Sequence, residues 1–453
     1  MKVVVVGGGI AGLAAARRLE SVAPAADIVL FERDNVLGGK LRTEHVHGFV
    51  IEAAADSFLS RKQRGIGLCE ELGLAGELMG RRPEHHQTFV RTGDDLHPLP
   101  EGLTGMIPTN LEALDGSEVL SAEGKERLAA EPDVPPARGA DDESVASFVS
   151  RRFGREAYDA LIEPLMSGIY GGDGEQLSLQ ATFPQLRMLE REHGSVLHGL
   201  SAPPPSDYPP FVSLPEGMGA LVTAVAESLE RTQVHRGRAV ERVTPGFELD
   251  LADGETIEAD GLILATPAYA TAELLADLDP ELAEVHAEIP HASSVVVTLA
   301  FSRADVVPLD GYGYLVPRVE GGDVLACTWS SQKWERRAPD ESVLLRVYAG
   351  RFGRRDVTQD SDEELVRLAR DEVAFLGVAA EPVLTRVHRW PRGTPQYVLG
   401  HPERLDHIEE ALVRHPGLAL AGAAYRGVGI PDCIRSGELA AESVARALAG
   451  ARA

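Results

Sequence analysis

The 453-residue sequence is long enough for two or three domains, and its 44% hydrophobic content is typical of a globular protein with a large core. The formal net charge of −26 disfavours nucleic acid and anionic lipid as partners. No apolar run reaches the roughly 20 residues of a membrane span, and three scattered cysteines are too few for a disulfide framework or a zinc site, so we expect a cytoplasmic protein without metal or integral membrane association.

The first forty residues predict a strand, a glycine turn, a helix and a second strand. Met1–Val6 contains a β-branched apolar run, which is typical of a buried parallel strand. Leu13–Glu20 is rich in strong helix formers, and Asp27–Phe31 is a second apolar run. This order is that of a βαβ unit, the core of a nucleotide-binding domain.

The turn between the first strand and the helix has the glycine spacing of a dinucleotide site. Gly7 permits a tight turn, Gly9 lets backbone amides approach a pyrophosphate, and Gly12 lets the helix pack against the strand. The helix N-terminus offers free N–H groups to phosphates, and Glu32 can accept hydrogen bonds from a ribose diol. The alternative is a glycine-rich turn in an ordinary βαβ unit.

A second glycine pair follows in Leu37–Thr43, whose sequence is LGGKLRT. This stretch resembles the second glycine signature of a flavoprotein superfamily that comprises amine oxidases, phytoene desaturases and porphyrinogen oxidases. In that superfamily the glycine pair and the following basic residue lie beside the flavin and its phosphates. The two signatures together imply an FAD site, and they disfavour a nicotinamide dehydrogenase.

The middle of the chain predicts a helical insertion, followed by a return to the first domain. Amphipathic helices are expected over 143–153, 155–166 and 180–192. A Pro-rich stretch over 201–210 predicts an extended link. Strand-like runs that predict a largely antiparallel sheet lie at 293–301, 312–316, 324–329 and 342–348.

We therefore predict an α/β protein with an α+β substrate part. Its Rossmann-type FAD-binding domain is expected to be discontinuous, formed by residues 1–96, 206–272 and 412–453. The helical insertion domain is expected over 97–205, and the antiparallel-sheet substrate-binding domain over 273–411.

The end of the chain repeats the pattern of its beginning. Leu418–Ala421 predicts a strand, Gly422 and the turn Gly427–Pro431 follow, and a helix is expected over Asp432–Ala449. A strand, a glycine turn and a helix N-terminus suit the polar end of a cofactor. The alternative is an αβ unit that only closes the sheet.

The order of motifs along nearly the whole chain resembles the porphyrinogen oxidases of haem synthesis. The segments that carry this resemblance are Asp56–Leu59 with Arg61-Lys62, Gly168–Asp173, Tyr312–Pro317, Trp390 with Pro395–Tyr397, and Gly427–Ile434. Amine oxidases and desaturases share the two ends of the chain but not these middle motifs. The resemblance implies an FAD-dependent oxidoreductase whose tetrapyrrole substrate lies in a pocket above the flavin.

The cofactor is expected to contact residues from both ends of the chain and two between them: Gly7, Gly9, Ile10, Ala11, Gly12, Glu32, Arg33, Gly38, Gly39, Lys40, Leu41, Arg42, Val240, Trp390, Gly422, Val428, Gly429 and Ile430. By resemblance, Val240 would hold the adenine side by its backbone, and Lys40 and Arg42 would lie near the flavin and its phosphates. FAD is expected to bind non-covalently, since no cysteine or histidine lies in a recognised attachment motif.

On the substrate side, the resemblance implies contacts from five residues: Arg61, Lys62, Gly168, Tyr312 and Leu315. Gly168 would approach one face of the macrocycle, and Tyr312 and Leu315 would bound the other. Arg61 and Lys62 are candidates for carboxylate contacts. The alternatives are core packing for Tyr312 and Leu315 and a solvated loop for Arg61-Lys62, and no catalytic acid–base residue is assigned.

One departure from the family pattern narrows the choice of substrate. Animal and plant protoporphyrinogen oxidases carry an arginine in a PTGLRG-like segment, whereas residues 100–105 are PEGLTG, with Thr104 at that place. The continuation Gly105–Thr109 resembles the Gram-positive bacterial enzymes, which are soluble and oxidise coproporphyrinogen III. The resemblance thus implies a six-electron oxidation of coproporphyrinogen III to coproporphyrin III, with FAD as hydride acceptor, oxygen as oxidant and hydrogen peroxide as by-product.

Three other interpretations stay open at this point. They are protoporphyrinogen IX as the substrate, an amine oxidase or desaturase of the same superfamily, and a non-enzymatic member of the fold such as the GDP-dissociation inhibitors. The partners implied by the favoured interpretation are a tetrapyrrole, molecular oxygen and, transiently, the next enzyme of the haem pathway.

Overall fold

The chain forms two compact units, each built from discontinuous segments. The first unit comprises Met1–Gly80, Tyr208–Pro290 and Glu403–Ala453, and the second comprises Arg81–Asp207 and His291–Pro402. The structure is a computed structural model that describes residues 1–85, 87–137, 139, 142–200 and 206–450. Within these ranges no helix is both long and apolar enough to cross a membrane.

The elements are numbered in chain order. The strands are β1 (Lys2–Val6), β2 (Asp27–Glu32), β3 (Thr43–Val46), β4 (Phe49–Glu52), β5 (Phe58–Leu59), β6 (Phe89–Thr92), β7 (Asp95–Pro98), β8 (Leu103–Thr104), β9 (Ile107–Pro108), β10 (Phe211–Val212), β11 (Gln233–Arg236), β12 (Val240–Thr244), β13 (Glu248–Leu251), β14 (Thr256–Glu258), β15 (Gly261–Leu264), β16 (His291–Ser302), β17 (Gly313–Leu315), β18 (Val324–Trp329), β19 (Ser342–Ala349), β20 (Leu384–Pro395) and β21 (Leu418–Leu420). The helices are α1 (Ile10–Val22), α2 (Gln63–Glu71), α3 (Leu111–Asp115), α4 (Ala122–Ala129), α5 (Val145–Phe153), α6 (Arg155–Ala157), α7 (Glu163–Tyr170), α8 (Leu179–Thr182), α9 (Pro184–His193), α10 (Val196–Gly199), α11 (Gly219–Glu227), α12 (Ala268–Leu275), α13 (Pro280–Ala287), α14 (Ser330–Lys333), α15 (Asp362–Val373), α16 (His401–Leu412) and α17 (Ile430–Gly450). A π-helical turn over Tyr158–Ile162 joins α6 to α7.

The first unit is built on a five-stranded parallel sheet with the order β11–β2–β1–β15–β21. Both faces are covered, which explains why β1 is a continuous apolar run. Helices α1, α11 and α17 pack on one face, and strands β12–β14 with helices α12 and α13 pack on the other. Because the strands run parallel, β1, β15 and β21 all end at the same edge of the sheet.

The second unit contains a seven-stranded sheet with the order β20–β16–β19–β18–β17–β6–β7. Its pairs are antiparallel except for β6 with β17. The long strand β16 pairs with β19 on one side and with β20 on the other. Helix α15 packs on the apolar face of this sheet, and helices α3–α10 belong to the same unit.

The predicted fold class is confirmed, since a parallel sheet flanked by helices is combined with a largely antiparallel sheet. The three-part domain division stays a prediction. The second unit contains residues 81–96, the described residues of 97–205 and residues 291–402, whereas residues 273–290 and 403–411 belong to the first. Part of the predicted link, residues 201–205, lies outside the described residues.

Candidate functional site

The glycine turn after β1 is packed so tightly that two of its positions cannot carry a side chain. Gly7 has a φ of +106°, and a Cβ there would lie 2.7 Å from the carbonyl oxygen of Ala265. A Cβ on Gly12 would lie 1.9 Å from the carbonyl oxygen of Gly7, because α1 crosses directly over the turn. A side chain at either position would therefore force the turn and the helix apart.

Gly9, the residue before α1, is surrounded differently. A Cβ on Gly9 would meet no described atom within 4 Å. No side chain caps the start of α1, and its first turn holds no acidic residue. The first amides of the helix are thus left for a ligand at the positive end of the helix dipole, which fits a pyrophosphate.

Glu32, at the end of β2, is tied to the same turn. Its Oε2 accepts a hydrogen bond of 2.7 Å from the amide of Gly8, and its Oε1 accepts one of 2.8 Å from the amide of Asp34. The side chain is buried, with 9% exposure. Each carboxylate oxygen has a second lone pair, so Glu32 can stabilise the turn and still accept hydrogen bonds from a ribose diol.

The second glycine pair is joined directly to the first turn. The amide of Gly38 donates to the carbonyl oxygen of Gly8 over 2.8 Å, and Gly38 forms an isolated parallel bridge with Gly9. A Cβ on Gly39 would lie 3.4 Å from the Cα of Gly9. The two glycine signatures therefore lie side by side, and their backbones are not covered by side chains of their own.

The residues that follow this pair differ in how they are held. Leu41 is buried, and its amide donates to the carbonyl oxygen of Gly38 over 3.0 Å. Arg42 donates through Nη2 to Asp34 over 2.6 Å, and the exposed Arg33 lies 3.9 Å from the same carboxylate. The Asp34 carboxylate thus accepts a hydrogen bond from Arg42 and lies near Arg33, contacts that the sequence did not indicate.

The lysine of this signature, Lys40, lies near the start of α17. Burial raises the pKa of the Cys433 thiol to about 11, and the nearby ammonium groups of Lys40 and Lys62 oppose this rise. Lys40 and Lys62 are 22 positions apart in sequence but act on one thiol in the first turn of α17. Two ammonium groups and the carboxylate of Asp432 therefore lie near this helix start.

Helix α17 begins at the same edge of the sheet as α1. After β21, Gly422 has a φ of +114°, and a Cβ there would meet no described atom within 4 Å. The segment Val428–Ile430 leads into α17, which packs so closely on α1 that a Cβ on Gly437 would lie 2.0 Å from the carbonyl oxygen of Ala11. Two helix starts, open glycine backbone and a ribose-type carboxylate at one edge fit a dinucleotide cofactor.

The two cofactor candidates from the middle of the chain lie in different units. Val240 begins β12 in the first unit, opposite Leu251. Trp390 lies in β20 of the second unit, opposite Ser294. Their contacts with a cofactor stay predictions.

The adjacent cations Arg61 and Lys62 have different surroundings. Lys62 Nζ forms an ion pair with the carboxylate of Asp432, in the first turn of α17. Arg61 is exposed and has no hydrogen-bond or ion-pair partner among the described residues. Asp432 lies inside the motif Gly427–Ile434, but no local pattern marks it as a functional residue.

In the second unit, Gly168 of α7 and Leu315 of β17 approach each other. A Cβ on Gly168 would lie 3.5 Å from Cδ2 of Leu315, which is ordinary van der Waals contact. A flat macrocycle needs about 7 Å between atoms on its two faces. The predicted placement of a macrocycle between Gly168 and Leu315 therefore requires this gap to widen.

Tyr312, the third substrate candidate of this unit, is a packed side chain with 7% exposure. Its hydroxyl donates to the carbonyl oxygen of Arg82 over 2.8 Å, and the guanidinium of Arg81 lies 4.6 Å from the ring centroid. Burial raises the pKa of the Tyr312 hydroxyl. These contacts favour the core-packing alternative for this residue.

A buried carboxylate that the sequence did not indicate supports the Gly168 segment. Glu163 is 1% exposed, and it accepts hydrogen bonds from Ser167 Oγ over 2.6 Å and from the amide of Arg318 over 2.8 Å. Arg351 lies 3.6 Å from it. Burial raises the pKa of the Glu163 carboxyl.

The chain is similar over nearly its whole length to known flavoproteins. Residues 10–445 match the family model of flavin containing amine oxidoreductases. The chain is 34% identical to the coproporphyrinogen III oxidase of Bacillus subtilis (strain 168), over 97% of this chain and 96% of that protein. It is 31% identical to the protoporphyrinogen oxidase of Homo sapiens, over 98% of each chain. A crystal structure from Exiguobacterium sp. 255-15, assigned as a protoporphyrinogen oxidase, matches with a TM-score of 0.88 and 33% identity over 98% of each chain.

Proposed function

The chain belongs to the flavin containing amine oxidoreductase family, and from this premise we propose that it is an FAD-dependent coproporphyrinogen III oxidase. The reaction is a six-electron oxidation of coproporphyrinogen III to coproporphyrin III, with molecular oxygen as oxidant and hydrogen peroxide as by-product. The observation that carries the proposal is the full-length similarity to the Bacillus subtilis enzyme. The sheet edge around Gly9, Glu32 and Gly422 supports it, because it suits a dinucleotide.

FAD, when bound, supplies a hydride acceptor that oxygen regenerates. The first amides of α1 would hold its pyrophosphate, and Glu32 would hold its adenosine ribose. Lys40 and Arg42 would place positive charge beside the phosphates. Binding is proposed to be non-covalent, because the buried Cys433 thiol has a raised pKa and is a poor nucleophile.

The substrate proposal depends on local cations. Coproporphyrinogen III carries four carboxylates, whereas the chain has a net charge of −26 that repels them at long range. Arg61 is the exposed cation that we propose for a substrate carboxylate. Thr104 in β8 is uncharged at the place where the resemblance implies an arginine in enzymes for the two-carboxylate substrate, which favours coproporphyrinogen III over protoporphyrinogen IX.

An assay of both porphyrinogens tests this function. The purified holoprotein is given each substrate separately in air, and porphyrin fluorescence and hydrogen peroxide are followed together. We expect a higher kcat/KM for coproporphyrinogen III and three peroxide molecules per porphyrin, as a six-electron oxidation requires. An equal or higher kcat/KM for protoporphyrinogen IX would overturn the substrate, and a protein that takes up no flavin would overturn the enzyme class.

We further propose that the protein acts in the cytoplasm and transiently contacts the next haem-pathway enzyme. The acidic net charge supports this location because it disfavours anionic lipid surfaces. Fractionation of cells should leave the activity in the soluble fraction. Activity retained in washed membranes would contradict the location.

A further inference from the structure

We infer that Lys62 neutralises Asp432 at the start of α17 and thereby keeps this helix end able to accept the negatively charged cofactor. Lys62 is then a positioning residue for the cofactor instead of a substrate ligand. The inference rests on the flavin-binding part of the proposed function and is independent of the porphyrinogen assignment.

The carboxylate of Asp432 occupies the turn that begins α17. Its Oδ2 accepts a hydrogen bond of 3.1 Å from the amide of Gly429 and forms the ion pair with Lys62. A Cβ on Gly427 would lie 2.6 Å from the Cγ of Asp432, and a Cβ on Gly429 would lie 2.9 Å from its Oδ2. Glycine at both positions thus allows the carboxylate to fold back over the helix start.

At this position the carboxylate of Asp432 would repel an anionic ligand. A negative charge in the first turn stabilises the helix itself, but it also repels a second negative charge at the same end. FAD carries negative charge on its pyrophosphate, and its ring system gains negative charge on reduction. An uncompensated Asp432 would therefore oppose both the binding and the reduction of the cofactor.

Lys62 is held in place to compensate this charge. It is the residue that precedes α2, and the amide of Gly65 donates to its carbonyl oxygen over 3.1 Å. A Cβ on Gly65 would lie 2.6 Å from the ring of Phe58 and 2.9 Å from Cγ of Pro431, so the start of α2 is packed directly against the start of α17. Packing of the two helix starts therefore brings Lys62 next to Asp432, although the Lys62 side chain is itself 43% exposed.

The charges around this helix start support the same conclusion. Lys40, Lys62 and Asp432 all lie close enough to Cys433 to shift the pKa of its thiol. These three side chains carry one net positive charge when both lysines are protonated, and burial lowers the pKa of the Lys40 ammonium. Without Lys62 the sum over these three residues would be zero at most, and their attraction for an anion would be lost.

The test compares three variants with the wild-type protein. Lys62→Met removes the ammonium but keeps the length of the side chain. Asp432→Asn removes the carboxylate charge but keeps an oxygen for the Gly429 amide, and Lys62→Met/Asp432→Asn combines both. Arg435→Met is the matched control, since Arg435 is an exposed cation of α17 without a hydrogen-bond or ion-pair partner among the described residues. The melting temperature of each apoprotein checks folding.

Two quantities are measured, the Kd of FAD for the apoprotein and the midpoint potential of the bound flavin. We expect Lys62→Met to raise the Kd by about tenfold or more and to make the potential more negative. We expect the double variant to return both quantities close to those of wild type, and Arg435→Met to change neither. A purely structural role of Lys62 would not be repaired by the second substitution.

Two results would overturn the inference while leaving the proposed function intact. One is a Lys62→Met variant that binds FAD as tightly as wild type. The other is a double variant that binds FAD as weakly as Lys62→Met alone. If the wild-type apoprotein itself binds no FAD, the proposed function fails, and this inference fails with it.

Discussion

The amide of Gly8 donates to Oε2 of Glu32 over 2.7 Å, so the carboxylate that we propose for the cofactor ribose also stabilises the glycine turn. The other oxygen of Glu32 accepts from the amide of Asp34. Glu32 thus connects the end of β2 to the turn after β1. Substitutions at this position should affect the protein as well as the ligand.

Replacing Glu32 with Gln should weaken FAD binding and lower the stability of the apoprotein. The amide that replaces one carboxylate oxygen cannot accept a hydrogen bond, so one backbone N–H loses its partner, and the ribose loses a charge-assisted bond. The expected cost in binding is about 1.5–3 kcal/mol, roughly ten- to a hundredfold in Kd. FAD titration and apoprotein melting measure the two effects. Glu248→Gln, an exposed carboxylate of β13, should change neither, and an unchanged Kd for Glu32→Gln would exclude the ribose role.

Alanine at Gly12 should lower protein stability, whereas alanine at Gly9 should weaken FAD binding. The added methyl group at Gly12 would lie 1.9 Å from a carbonyl oxygen, so Gly12→Ala should lower the melting temperature of the apoprotein strongly or prevent folding. At Gly9 the methyl group would meet no described atom, so Gly9→Ala should keep apoprotein stability and weaken FAD binding. Thermal unfolding and FAD titration of the two variants test this contrast, and a Gly9→Ala protein with wild-type FAD affinity would contradict it.

Arg61→Ala should raise the KM for coproporphyrinogen III, by about tenfold if the contact is partly desolvated, with a smaller effect on protoporphyrinogen IX. Lys62→Ala should raise this KM less, because the ammonium of Lys62 already forms an ion pair with Asp432. Initial rates with both substrates at saturating FAD provide the comparison. A larger KM effect for Lys62 than for Arg61 would reverse the roles assigned to them.

The proposed non-covalent binding of FAD predicts that acid precipitation releases the yellow colour into the supernatant. The three cysteines are all buried, so no exposed thiol is available to form a covalent bond with the flavin. The absorbance of the supernatant and the pellet near 450 nm is the measurement. Colour that stays in the pellet after washing would show a covalent bond.

Acid should destabilise the first unit through His286 of α13. This side chain is fully buried, its Nδ1 lies 2.7 Å from the carbonyl oxygen of Leu282, and its Nε2 has no hydrogen-bond partner among the described residues. Burial lowers the pKa of His286 below its ordinary value of 6.5. As the pH falls below 6.5, His286 is protonated in the unfolded chain before it is protonated in the folded protein. The free energy of unfolding therefore decreases as the pH falls, and this decrease stops below the pKa of the folded state.

The variant His286→Phe should therefore lose less stability between pH 7.5 and pH 5.5 than wild type. Phenylalanine has a similar size and does not titrate. Melting temperatures of both proteins at the two pH values, with FAD in excess, give the comparison. An equal acid-induced drop in the two proteins would assign the effect to other groups.

The glycine turns at the proposed cofactor edge could be predicted from sequence because they are local. The turn Gly7–Gly12 and the pair Gly38-Gly39 each need a particular backbone within a few residues, and that need is visible as glycine. The ion pair of Lys62 with Asp432 was missed because its members are 370 positions apart. No local pattern marks such a contact, and it depends on the packing of α2 against α17.

Two features of the second unit show where local patterns mislead. Strand β20 was not predicted because it contains Pro391 and Pro395 and is only half buried. The structure tolerates these prolines because β20 is the edge strand of its sheet and has a partner on one side only. The predicted helix over 155–166 does form, but Pro164 has no N–H to donate to Ala160, which accounts for the π-helical turn over Tyr158–Ile162.

The order of strands in the parallel sheet has a consequence for biosynthesis. Strand β1 pairs with β15, and β15 pairs with β21, which is close to the C-terminal end of the chain. At ordinary translation speeds β1 leaves the ribosome on the order of tens of seconds before its sheet can be completed. The unpaired backbone edge of β1 must be shielded during that time. A nascent chain that stops before α17 therefore remains a target for chaperones and proteases, because its sheet is incomplete.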